Sequence, residues 1–170
     1  AMNTEADGSL AFTEEETEQL RAATQATDVA AVAAATQGRG ADAAVAMALG
    51  TNPRIAIYVC PGRHDPQEGG VTGTDAVDFI NRFHVDRTFI GASGITAEGA
   101  SEVNAAAAAV KRAMLRRAEV PMLLLDHSKF DRVGFEIVCP LRDLRHLISD
   151  AAPHGELGTA LARARVQMHL

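Results

Sequence analysis

The sequence predicts an α/β fold with three layers around a mostly parallel sheet. Three observations predict it. Short apolar runs alternate with helical patterns along the chain, the rhythm of strand–helix units. Several of those runs are apolar on both faces, as central parallel strands are. The length of 170 residues suits one domain rather than two. A chain of that size buries roughly 70% of its extended surface.

The elements follow in order. Residues 14–25 read as a helix and "DVAAVAAA" (28–35) as the first strand. A helix over 41–50 precedes the strand "RIAIYVC" (54–60), and a helix over 74–83 precedes "RTFIGA" (87–92). The long helix is placed at 101–119. Ser101 is its expected N-cap, and Val103, Ala107, Val110, Met114 and Ala118 form its apolar stripe. Lys111, at the edge of that stripe, is expected to send its amine to solvent. Pro121 forbids continuation of the helix. Strands "VPMLLL" (120–125), "GFEIVC" (134–139) and "HLIS" (146–149) come next, then a short helix near 156–163 and a last strand in "RVQMHL". Residues 1–12, with Ala1-Met2 resembling an expression scar, are expected to be a flexible lead-in, and 13–170 a single domain.

Apolar residues make up 47% and charged residues 22%, ordinary globular values. The net charge of −6 gives no long-range attraction to nucleic acid or to an anionic membrane. No apolar run approaches the roughly 18 residues that span a bilayer. The first residues lack the pattern of a signal peptide, so a cytoplasmic location is the default. Cys60 and Cys139 each end an apolar run before a Pro and have no metal-ligand spacing. They read as buried, inert thiols, and no metal or cofactor is expected.

Ligands of open α/β sheets sit beyond the carboxyl ends of the strands. That rule selects "TQGRG" (36–40), "PGRHDPQEGGVTG" (61–73), "SGITAEG" (93–99) and "DHSK" (126–129). Glycines there can turn backbone N–H groups toward an anion, although Gly-rich loops are usually only turns. Asp126, a carboxylate at the end of an apolar strand, needs a partner. Lys129 could be that partner within a purely structural turn, or the two could hold a ligand. His127 points away from Asp126 and is a weak candidate. For catalysis, Glu98 is the best nucleophile and Asp86 a conceivable base. However, Glu98 reads as an exposed loop residue, and Asp86 stands at the wrong end of its strand.

"VDRTFIGASGITAEGASEVN" (85–104), "VKRAML" (110–115), "LLLDHSKFDR" (123–132) and "CPLRDLRHLISD" (139–150) occur in this order. Together they resemble the carboxy-terminal effector-sensing domain of the DeoR family of bacterial transcriptional repressors. The likeness is good over 54–150, loose over 28–53 and poor over 1–27. It implies a fold like ribose-5-phosphate isomerase, glucosamine-6-phosphate deaminase and the CoA transferases. It also implies a sensor that binds a phosphorylated sugar or related anionic metabolite within a homo-oligomer, without catalysis. The resemblance places effector contacts at Asp126 and Lys129, so a ligand role displaces the structural one. Ser128, Gly62, Arg63, Thr36, Gln37 and Gly94 complete the expected ligand shell.

The chain departs from the family pattern at four places. The Gly-Thr-Thr phosphate loop is replaced by "AFTEEETEQL" (11–20), where Glu14, Glu15 and Glu16 would repel phosphate. Thr-Asn reads Thr36-Gln37, Gly-Gly reads Pro61-Gly62, and a Glu four residues before the helical Lys reads Ala107. The winged helix-turn-helix through which a family member reaches DNA is not recognised before residue 28. An enzyme of the same fold, such as a sugar-phosphate isomerase or CoA transferase, and a degenerate oligomerisation domain are the competing expectations.

Overall fold

The computed structural model describes residues 31–33, 46, 49–65 and 70–170. The main sheet has four parallel strands in the order β11 (Gln167–His169), β10 (His146–Ile148), β8 (Ala118–Leu124) and β5 (Val85–Ile90). Two more strands, β1 (Ala31–Ala33) and β2 (Ile57–Val59), pair in parallel with each other. The expected α/β class with mostly parallel strands is what the chain adopts. Along β5, β8 and β10 one face is buried, through Thr88, Ile90, Pro121, Leu123 and Leu147. The strands run apolar because that face meets helices and the other is only half exposed, at Phe89, Val120, Met122 and Ile148.

Three helices are described along their whole length: α1 (Thr74–Ile80), α2 (Ala105–Arg116) and α3 (Gly155–Ala164). Helix α2 packs on β5 and β8, with Ala107, Ala108, Val110, Ala113 and Met114 buried. Its small residues allow close approach to the sheet. Leu157 and Leu161, one turn apart on α3, are buried in the same core as Ile90, Leu123, Leu144 and Leu147. Pro121 sits inside β8, between two neighbours, where a proline normally costs a ladder bond. Here its carbonyl accepts from the N–H of Arg145 (2.9 Å), so its polar groups face the β10 side. Strand β10 pairs with β8 only from His146↔Met122 onward. The missing N–H therefore falls just before that ladder begins.

Several expectations are corrected. The long helix starts later than 101, because Asn104 is its cap. The Asn104 side chain accepts from the N–H groups of Ala106 (2.9 Å) and Ala107 (3.2 Å). Ser101 lies instead in β7 (Gly99–Glu102), where its hydroxyl accepts from the Gly134 N–H (2.7 Å). Val103 is exposed rather than part of the stripe, and the helix ends at Arg116 because β8 starts at Ala118. Residues 134–139 do not join the parallel sheet. Strand β9 (Glu136–Cys139) runs antiparallel to β7, which pairs in turn with β6 (Gly94–Thr96). The loop at 61–73 contains an antiparallel hairpin, β3 (Arg63–Asp65) with β4 (Gly70–Thr72). The expected helix at 14–25 lies outside the described residues. Of 41–50, Ala46 and Leu49 are helical and Gly50 is a turn.

The three-stranded sheet depends on close backbone approach. A Cβ on Gly94 would stand 2.2 Å from the carbonyl oxygen of Arg132, and one on Gly134 2.6 Å from the N of Glu102. Arg112 of α2 ties β9 to the helix through an ion pair with Glu136 and a bond to the Ile137 carbonyl (2.8 Å).

Candidate functional site

Because β5, β8 and β10 run in parallel, their following segments gather at one end of the sheet. These are 91–93, 125–130 and 149–154. After β8, residues 127–129 form a single 3₁₀ turn. Asp126 caps it: its Oδ1 accepts from the Ser128 N–H (2.8 Å), and its carbonyl accepts from the Lys129 N–H (3.1 Å). Burial pushes the Asp126 carboxyl up. Hydrogen bonds from Ser128 and the charge of Lys129 outweigh that and hold it below its ordinary value.

Asp126 and Lys129 are half buried, Ser128 is exposed, and Lys129 makes no salt bridge among the described residues. The hydrogen-bond partner that Asp126 needs is thus the turn's own backbone, while Lys129 acts on it through charge without forming an ion pair.

His127 ties this turn to the next strand end. Its N–H and its Nδ1 both lie 2.6 Å from the Asp150 carboxylate, which follows β10. Hydrogen bonding to Asp150, then its charge, raises the His127 pKa, and the same contact outweighs burial to lower that of Asp150. The sequence reading passed over this pair, since nothing local links positions so far apart. A hollow of about 480 Å³ lies beside it, lined by His127, Phe130, Asp131, Ala152 and His154 among others. A second, of about 410 Å³, lies along α3 between Ala97 and Arg163. Neither is lined by Asp126 or Lys129. The chemistry of the turn, rather than the size of a hollow, marks the candidate site.

The remaining expected residues divide. Phe130 bridges to Ile95, and the Asp131 N–H donates to the Ile95 carbonyl (2.9 Å), so the "DHSKF" segment lies against β6, where Gly94 is. Gly94 itself is buried, with its missing Cβ's place taken by Arg132. Its glycine is accounted for by packing. Gly62 has φ 144° and sits against Thr72 and Val71, while Arg63 is exposed in β3. The structure places these two at the start of the hairpin whose strand β4 packs on α1 and α2. Thr36, Gln37 and Glu14–Glu16 lie outside the described residues. Glu98 is exposed in a hairpin turn, its N–H bonded to Thr96 Oγ1 (3.2 Å), and Asp86 is exposed at the amino end of β5. Cys60 and Cys139 are buried, and burial pushes the Cys139 thiol up to about 12.

Sequence reasoning was wrong about Lys111. Its side chain is 1% exposed, and its Nζ forms an ion pair with Glu102, which is 0% exposed. Ser93, in the segment after β5, donates its hydroxyl to the same carboxylate. The Val103 N–H also reaches Glu102 Oε1 (2.9 Å) and Ser93 Oγ (3.3 Å). Burial raises the Glu102 pKa, but the Lys111 charge and the bonds from Lys111, Ser93 and Val103 outweigh it and lower it overall. A signal was present: with Ala107 one turn before Lys111, the helix offers no carboxylate of its own there. A buried Lys then draws its partner from another element, here the end of β7.

Parallel strands with polar turns gathered at their carboxyl ends define a domain of the α/β class. Residues 27–151 match the model of the DeoR C terminal sensor domain, and the chain belongs to that family. The chain is 28% identical over 114 residues to the HTH-type transcriptional repressor GlcR of Bacillus subtilis, covering 67% of this chain and 44% of the relative. It is 30% identical over 130 residues to the putative sgc region transcriptional regulator of Escherichia coli, covering 76% and 50%. It is 28% identical over 127 residues to the glycerol-3-phosphate regulon repressor of Escherichia coli, covering 74% and 50%. The chain therefore spans half or less of the length of these regulators. Among the described residues, no helix is long and apolar enough to cross a membrane.

Proposed function

We propose that this chain is the effector-sensing part of a DeoR-type transcriptional repressor, and that it receives a phosphorylated sugar or related anionic metabolite at the Asp126–Lys129 turn. The observation that carries the reading is the division of labour within that turn. Backbone bonds hold Asp126 in place, and Lys129 makes no salt bridge among the described residues. An ammonium can then neutralise a phosphate while a carboxylate accepts from sugar hydroxyls. One relative is named for a glycerol-3-phosphate regulon, which fits an anionic effector. The regulator would act in the cytoplasm as a homo-oligomer. Its DNA contact would come through a helix-turn-helix rather than this acidic sensor, whose net charge is −6.

A thermal-shift screen of phosphorylated sugars, sugar acids and polyol phosphates tests this. A ligand at 100 times its dissociation constant stabilises by about 2.7 kcal/mol. Stabilisation without turnover supports a sensor. Turnover of the stabilising compound would make the chain an enzyme. A screen in which nothing stabilises would leave a degenerate oligomerisation domain as the better reading.

A further inference from the structure

Among the described residues, three donors from three segments converge on one buried carboxylate. The Lys111 ammonium comes from α2, the Ser93 hydroxyl from the segment after β5, and the Val103 N–H from the end of β7. Ammonium, hydroxyl and backbone N–H are the groups proteins use to bind oxyanions. They stand at the carboxyl end of β5, the edge where a parallel sheet receives ligands. Ser93 is half buried and Val103 is exposed, so the rim of the cluster reaches solvent although Glu102 does not. The carboxylate that fills it belongs to the chain.

We infer that Glu102 is a built-in anion: its carboxylate occupies a cradle made by Lys111, Ser93 and Val103 that would otherwise take a small carboxylate or phosphate. With that cradle filled, the charge of an anionic effector is directed to Lys129 instead. This last step rests on the function proposed above; the filled cradle does not. Glu102 is then a specificity-determining residue that closes one of two places where a lysine could meet an anion.

Glu102→Ala deletes the atoms that acetate would replace and leaves the donors. Melting temperatures of wild type, Glu102→Ala and Glu102→Ala/Lys111→Met are measured in acetate, in inorganic phosphate, and in chloride of matched ionic strength. Acetate is expected to raise the melting temperature of Glu102→Ala by about 4 °C or more over chloride, the shift of a ligand well above its dissociation constant. Wild type and the double variant should respond to acetate as they do to chloride. Phosphate acting like acetate would show that the cradle admits the larger anion; phosphate without effect would restrict it to carboxylates and overturn that part. If Glu102→Ala does not accumulate folded, refolding yield with and without acetate gives the same comparison. An acetate effect no larger than that of chloride, or one equally large in the double variant, overturns the inference. Lys129→Ala should leave the acetate response of Glu102→Ala unchanged. A failed effector screen would therefore not be confused with a failed cradle.

Discussion

Lys111 and Lys129 are the chain's two lysines, and they sit in opposite surroundings. Lys111 is sealed against Glu102 with almost no exposure. Lys129 sits half buried in a turn that is capped without it. A buried ion pair commits both partners to the fold, since neither can return to water without unfolding. The Lys129 ammonium makes no salt bridge among the described residues, so the fold described does not depend on it in the same way. Sequence position alone suggested a solvent-facing amine for Lys111, because a helical lysine beside an apolar stripe usually reaches solvent. Burial separates the lysine held inside the fold from the one left at the surface.

The largest effect should come from breaking the committed lysine. Lys111→Met removes a cation from the buried Glu102 and should destabilise by about 3–5 kcal/mol, read as a fall in the urea midpoint. Adding Glu102→Leu should recover most of that loss, because an apolar pair of similar volume is close to neutral. An additive double variant would mean that the two side chains do not act as a pair.

Lys129 should show the opposite profile. Lys129→Ala should weaken an anionic effector at least tenfold, about 1.4 kcal/mol, with a stability change within about 0.5 kcal/mol. Calorimetric titration with the best screening hit, beside a urea melt, checks both. Unchanged affinity would return the "DHSKF" segment to a purely structural role.

The smallest effect is a pH dependence at the link between the two strand-end turns. The His127 pKa is raised by Asp150, so its contribution is fully present below the ordinary 6.5 and is lost as pH rises through the raised value. The Asp150 pKa is lowered, so its contribution is present above the ordinary 3.8 and is lost as pH falls through the lowered value. The melting temperature of Asp150→Asn should therefore lie below wild type between those limits and converge with it in alkaline solution. Both side chains are exposed, so solvent screening keeps the difference small. A gap that persists unchanged above neutral pH would assign it to something other than the imidazolium.

The parallel strands were legible because their signal is local: runs apolar on both faces, bounded by helices. The turn at Asp126 was legible for the same reason, since an Asp two residues before its N–H donor is a local motif. The antiparallel sheet was not. Strands β6 and β7 are short, and their place is set by glycines such as Gly94 that let distant backbone press close. Nothing in "SGITAEG" announces that Arg132 will arrive there. Ser101 was misread as a cap because a hydroxyl shortly after a glycine suits a helix start; its actual partner, Gly134, comes from the distant segment before β9. The ordered motifs pointed to the family, whose model covers residues 27–151. They did not show that the carboxylate missing at Ala107 is supplied to Lys111 from Glu102.

Glu102 and Glu136 are register partners across β7 and β9. Like charges set opposite each other oppose pairing. Each is answered by one of two consecutive residues of α2, Glu102 by Lys111 and Glu136 by Arg112. Until that helix is in place, these two strands meet their own repulsion. The small sheet is thereby electrostatically dependent on its neighbour: two adjacent cations of α2 neutralise a carboxylate pair that the β7–β9 ladder sets side by side.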